Sequence, residues 1–171
     1  MIYKDRLAFS FHTPTKVVFG AGMLKEAVKE MDGLGMKKAL VVTDVALKET
    51  SMVKTLMESL GGRAAGLFPD AIPDFSFPVV AKGAQVFREK GADGIISIGG
   101  GSSMDTAKAI AILAKKGKED LREFLGIGKI GEPIVPHIAI PTTSGTASEV
   151  TMFATIRITR PRRKGCSPTL T

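Results

Sequence analysis

A single cysteine, Cys166, among 171 residues leaves no partner for an internal disulfide and fits a reducing compartment, so the expected location is cytoplasmic. No apolar run reaches the length of a membrane span, and the opening Met1-Ile2-Tyr3-Lys4-Asp5-Arg6 lacks the apolar stretch of a signal peptide. No membrane partner is therefore expected. Aromatic residues make up only 6% of the chain and none follows Phe153, which argues against a nucleic-acid surface built by stacking. Acidic residues stop early as well. After Glu149 there is none, while Arg157, Arg160, Arg162, Arg163 and Lys164 supply five positive charges. Setting those five aside leaves 19 basic against 17 acidic residues, so the net charge of +7 belongs mostly to the last segment. No specific nucleic-acid partner follows from it, since such a tail binds polyanions only in a salt-dependent, non-specific way. Histidine is also scarce. His12 and His137 lie far apart with no partner at ligand spacing, so no metal site is expected within this chain.

What is present suits one α/β domain: 44% hydrophobic and 24% charged residues with 19 glycines, in a chain long enough for a proper core. The stretch from Ile95 to Lys108 organises the rest. Ile95, Ile96 and Ile98 are too apolar for a strand with one wet face and predict a central parallel strand. Gly99, Gly100 and Gly101 then free the backbone for a tight turn or a close approach to a ligand. Ser102 is the expected N-cap of the next helix, with Asp105 three residues on as a carboxylate capping box. Ala107, Ile110, Ala111 and Ala114 form that helix's apolar face. Such a strand, glycine turn and helix start can bind phosphate, or the glycines can serve helix–sheet packing alone. Lys108 could reach such a phosphate, but three residues after Asp105 it is expected to make a surface ion pair of small value.

Along the chain, two strand-like pieces span Leu7 to Gly20 around Pro14, and a short amphipathic helix runs from Ala21 to Met31. Lys38 to Asp44 reads as a second buried strand, with Asp44 at its carboxyl end. There Asp44 either accepts hydrogen bonds from an adenine ribose or caps the following helix, Val45 to Leu60. A weaker strand covers Arg63 to Phe68, a rigid loop Pro69 to Asp74, and a helix Phe77 to Lys90. Lys115 to Gly131 is polar, with a short helix around Glu119 to Phe124. A last strand, His137 to Pro141, ends in the hydroxyl-dense run Thr142-Thr143-Ser144-Gly145-Thr146-Ala147-Ser148-Glu149-Val150. That run offers donors to a phosphate or ribose, or is a solvated turn. Alternating strands and helices predict a parallel sheet flanked by helices.

Two stretches carry a family resemblance. Gly99 to Lys108 resembles the G-G-G-S-x-x-D-x-A-K element of the iron-dependent (group III) alcohol dehydrogenases, and Pro141 to Thr151 is similar to their P-T-T-x-G-T-x-S-E-V-T signature. Asp44 resembles that family's first βα turn, and Pro14 to Gly20 its opening strands. The likeness covers Met1 to about Ile156. The first element is shared with glycerol dehydrogenases and dehydroquinate synthases, while the second favours the alcohol dehydrogenase branch. The resemblance implies a Rossmann-like dinucleotide domain over residues 1–156, of the dehydroquinate synthase N-terminal type, with the family's helical C-terminal domain absent. It implies that Gly99, Gly100, Gly101 and Ser102 hold the pyrophosphate of NAD or NADP, and that Asp44 meets the adenine ribose and favours NAD. Thr142, Thr143 and Thr146 would line the cleft, Ser148 and Val150 would lie near the nicotinamide, and Asp105 counts among the cofactor-binding positions. In the family an Asp and three His ligate an iron ion that polarises the alcohol; those ligands fall beyond this chain.

The pattern is left near Arg157, where residues 157–171 lose core periodicity. The expectation is a truncation, with a change of reading frame shortly before it and a disordered basic tail. The expected function is the NAD(P)-binding part of an alcohol dehydrogenase that converts alcohols to aldehydes or ketones by hydride transfer and is inactive alone. The alternatives are a non-catalytic nucleotide-binding or assembly module that self-associates through apolar surface, and a relative of glycerol dehydrogenase or dehydroquinate synthase.

Overall fold

The computed structural model describes residues 15–73, 76–126 and 128–155. Four parallel strands, β1 (Ala39–Asp44), β2 (Ala64–Ala71), β3 (Gly94–Gly99) and β4 (His137–Pro141), form one sheet in the order β2-β1-β3-β4. The connections carry α2 (Ser51–Leu60), α3 (Phe77–Glu89) and α4 (Gly101–Lys116), and α1 (Ala27–Gly33) precedes β1. Side chains alternate across a strand, so β1 and β3 feed two separate cores. Leu40, Val42 and Ile95 pack with Val80, Ala84, Ile110 and Leu113 of α3 and α4. Ala39, Val41, Ile96 and Ile98 pack with Ala27 and Met31 of α1 and with Val53, Leu56 and Leu60 of α2. Every residue of β3 is buried, as its run of isoleucines predicts for a strand covered on both faces. Among the described residues no helix is long and apolar enough to cross a membrane.

Several boundaries differ from the sequence expectation, each for a local reason. Residues 15–20 form no strand, and the part of that opening before them, with His12, lies outside the described residues. The helix expected from Ala21 is a 3-10 turn, Met23–Glu26, entered through Gly22 at φ 79°, and only then α1. The helix expected from Val45 starts six residues later. The Asp44 carboxylate accepts from the amides of Ala46 (2.9 Å) and Leu47 (3.0 Å) and closes a separate turn, after which Thr50 is extended and α2 begins. β2 runs on through Pro69, Asp70 and Ala71, which the composition marks as loop. Proline is tolerated because β2 is an edge strand. The helix expected at Glu119 shrinks to a 3-10 turn, Leu121–Phe124, capped by Asp120. Cys166 and the rest of residues 157–171 lie outside the described residues.

His137 opens β4 and shares a 2.8 Å hydrogen bond with Ser97 of β3. Burial, aided by the positive charge of Lys108, pushes its imidazole down to about 4 from 6.5. The unfolded chain therefore takes up a proton that the folded chain refuses. That penalty is absent above the unfolded value and grows as pH falls through 6.5 toward 4, reaching up to about 3 kcal/mol. His137→Gln, which keeps a polar partner for Ser97, should flatten this part of the stability profile in urea unfolding at about pH 7 and about pH 4.5. Equal pH losses in the two proteins would contradict it.

Candidate functional site

The chain leaves β1 outward toward β2 and returns past it to β3, so β1 and β3 are neighbours whose connections diverge. At such a switch point the carboxyl ends of the strands open a crevice for ligands. Asp44 ends β1 and Gly99 ends β3, and the Thr43 hydroxyl ties the two by donating to the Ile98 carbonyl at 2.8 Å. One Asp44 oxygen is spent on the 46–47 turn. The other faces Ser103, whose hydroxyl lies 3.4 Å away. Asp44 thus closes a turn ahead of α2 instead of capping that helix, and its second oxygen stands beside Gly99 and Ser103.

The helix starts on the glycines and not on Ser102. Gly100 is the extended N-cap, Gly101 is already helical, and Met104 N–H donates to the Gly100 carbonyl at 3.2 Å. No side chain caps α4, so the amides of its first turn keep no partner within the helix and meet its positive dipole end. Expecting a serine cap missed that a glycine at the strand end can take the extended N-cap conformation itself. The three missing side chains have neighbours waiting. A Cβ on Gly99, at φ +153°, would come within 2.4 Å of Ser103 Oγ and 2.7 Å of its Cβ. One on Gly100 would lie 3.3 Å from Thr143 Oγ1, and one on Gly101 3.3 Å from Thr146 Cβ. The close approach that the glycines permit is therefore that of Ser103 at Gly99 and that of the threonine loop at Gly100 and Gly101.

That loop leaves β4 through Thr142, whose amide donates to the Gly99 carbonyl at 2.9 Å. Residues 141–147 are exposed. Ala147 then takes a left-handed conformation (φ 55°) that turns Ser148 inward, where it is 6% exposed. Here the structure departs from expectation. The Asp105 carboxylate does not complete a capping box; it accepts from Ser148 Oγ at 2.6 Å and from the Thr155 amide at 2.9 Å. Lys108 is no surface lysine. It is 6% exposed and donates to Ser148 Oγ (2.9 Å) and the Phe153 carbonyl (2.7 Å), with Asp105 at 3.5 Å. Burial lowers its pKa and the Asp105 charge partly opposes that shift. A signal for this burial was present in the sequence: Ala109 to Leu113 is apolar without a break, so α4 is covered on every side and its lysine goes inside. Val150 remains exposed at the edge of the site.

A feature missed entirely is an apolar cleft of about 380 Å³ beside Asp44, lined by Val45, Pro69, Ile72, Pro78 and Val79, with Asp70 and Lys82 at its rim. Three stretches build it, Val45 after β1, residues 69–72 at the end of β2 and residues 78–82 of α3, which no local pattern reveals. For a metal the fit is poor. Among the described residues no three His, Cys, Asp or Glu side chains gather as a site would need, and His137 is committed to Ser97.

A sequence profile of the family described as iron-containing alcohol dehydrogenase matches residues 14–169. The chain belongs to this family. It is 39% identical over 149 residues to the NAD-dependent methanol dehydrogenase of Bacillus methanolicus, covering 86% of this chain and 39% of that protein. The crystal structure of a 1,3-propanediol oxidoreductase superposes with a TM-score of 0.78 at 34% identity, over 84% of this chain and 38% of the other. The sulfoacetaldehyde reductase of Bifidobacterium kashiwanohense, solved with NAD+, gives 0.75 at 26% identity, over 85% and 39%. The chain thus spans about two fifths of the length of these relatives, and its Rossmann-like α/β fold is theirs. The family match extends into residues 157–169, which the sequence reading set apart as a tail.

The packing around the turn ranks its glycines. Gly99→Ala should cost about 2 kcal/mol by overpacking against Ser103 at a positive φ, and Gly100→Ala, whose Cβ would press on Thr143 Oγ1 at 3.3 Å, about 1 kcal/mol. Denaturant midpoints of the two variants check the order, and a Gly99→Ala chain as stable as the wild type would contradict the packing.

Proposed function

We propose that this chain binds a nicotinamide adenine dinucleotide along the carboxyl edge of its sheet, as the cofactor-binding part of an NAD-dependent alcohol or aldehyde oxidoreductase. The observation that carries this reading is the order of features along that edge. An apolar cleft at Val45 and Pro69 comes first, then the Asp44 carboxylate, then the uncapped glycine turn, then the hydroxyls of Thr143 and Thr146. An adenine, its ribose, a diphosphate and a second ribose follow one another in the same order. The cleft offers apolar walls for the base, and Asp44 an acceptor for ribose hydroxyls. Gly99, Gly100, Gly101 and Ser102 offer the backbone of an uncapped helix start to the diphosphate. Thr142, Thr143 and Thr146 line the next part of the path, and Val150 stands at its far end. Asp105 and Ser148 are bonded to each other beneath the loop and act on this path from behind. The NAD+ complex of the sulfoacetaldehyde reductase and the NAD dependence in the name of the methanol dehydrogenase support the choice of cofactor.

A carboxylate at Asp44 repels a 2′-phosphate, so NAD is the expected cofactor over NADP. The dinucleotide, when bound, supplies a hydride acceptor; this chain's residues bind and orient it. The chain alone is expected to turn over no alcohol. Phe19, Met152 and Phe153 are exposed, at 97%, 82% and 61%, which favours self-association of the isolated chain and is read by light scattering. Calorimetric titration tests the main reading. NAD should bind measurably and NADP about tenfold or more weaker, with Asp44→Ser narrowing the gap. No binding of either, or tighter NADP, overturns it, and alcohol-dependent NADH formation by this chain would overturn the expected inactivity.

A further inference from the structure

We infer that Asp105, Lys108 and Ser148 form a buried anchor that positions the threonine loop over the glycine turn, and that none of the three touches the dinucleotide. The inference rests on the reading of this edge as a dinucleotide site. Its basis is geometric. Ser148 donates to Asp105 and accepts from Lys108, while Asp105 also holds the Thr155 amide and Lys108 also holds the Phe153 carbonyl. Four bonds thus run from two side chains one helical turn apart on α4 to three points between residues 148 and 155. No buried polar side-chain atom is left without a partner among the described residues, and the single hydroxyl proton of Ser148 is already given to Asp105. Its far end bears on the site. Ser148 is followed by Glu149 and preceded by Ala147, whose left-handed backbone costs free energy that something must offset, and Thr146 just before it fills the space at Gly101. Releasing Ser148 lets Ala147 relax and frees Thr146 and Thr143 from Gly101 and Gly100.

The charged groups around the Lys108 ammonium are Asp105 on its own helix and Glu149 after Ser148, and the titratable but neutral His137 faces it from β4. Asp105 is the close partner that keeps the buried ammonium charged. Removing its charge should therefore make the anchor fail at lower pH, as Lys108 gives up its proton.

The test uses the full chain and four variants: S148A, D105N, K108M and the double S148A/D105N. Hydrogen exchange of the free chain is read in peptides covering residues 142–155 and, for comparison, β1 and β3. S148A should speed exchange in 142–155 by about tenfold or more, the cost of breaking a buried charge-assisted bond, and leave β1 and β3 unchanged. The double variant should be no faster than D105N, since both act through one network. NAD affinity should fall by a similar factor in S148A, and in D105N it should decline with rising pH at lower pH than in the wild type. An S148A chain that loses NAD affinity with unchanged exchange in 142–155 overturns the inference, because Ser148 then contacts the cofactor directly. Unchanged exchange and unchanged affinity overturn it as well. If D105N or K108M does not fold, S148A, which deletes one hydroxyl, still decides. Should the wild-type chain bind no NAD, the proposed function fails while the exchange experiment still tests the anchor.

Discussion

The structure depends on a strand buried on both faces running straight into a helix buried on nearly every side. Only Gly100 stands between β3, which ends on Gly99, and α4, which starts on Gly101, and both elements are fixed by the cores above and below the sheet. The turn has no freedom of its own. Its position follows from isoleucines on one side and from Met104, Ile110 and Leu113 on the other, and every neighbour must fit around it. Asp44 and Ser103 approach from β1 and from the helix's first turn, and Thr143 and Thr146 from the loop after β4. A phosphate-binding turn gains from such rigidity, because donors that are already aimed cost nothing to order when the anion arrives.

What the sequence made legible is what local physics dictates. A run of β-branched residues, a glycine triplet and an apolar helix face located β3, the turn and α4. The run Lys38 to Asp44 located β1 and its terminal carboxylate, and the resemblance at Pro141 to Thr151 pointed to the family. What stayed illegible depends on residues distant in sequence. Pro69 stands in a strand only because β2 lies at the sheet edge, and α2 starts late because Asp44 closes a turn first. Lys108 is the sharpest case. Spacing alone pairs it with Asp105 on a surface. The apolar run Ala109–Leu113 hints at its burial, but the partners that take its ammonium, Ser148 and the Phe153 carbonyl, lie 40 and 45 positions on.

On the proposed reading, the same contrast separates residues that face the dinucleotide from residues that hold those residues still. Asp105 and Ser148 belong to the family-like motifs and so read as cofactor contacts, yet their hydrogen bonds are spent on Lys108, Thr155 and each other. A motif in a site marks what the site needs, and part of that need is positional. The iron in the family's name is a separate matter: the described residues gather no ligand set for it.

The most direct test of a diphosphate at this turn is a nitrogen–proton correlation spectrum of the chain recorded with and without NAD. The amides of Gly99, Gly100, Gly101 and Ser102 should move most, followed by residues next to Asp44. Shifts confined to other parts of the sheet, with these four amides unmoved, would contradict it.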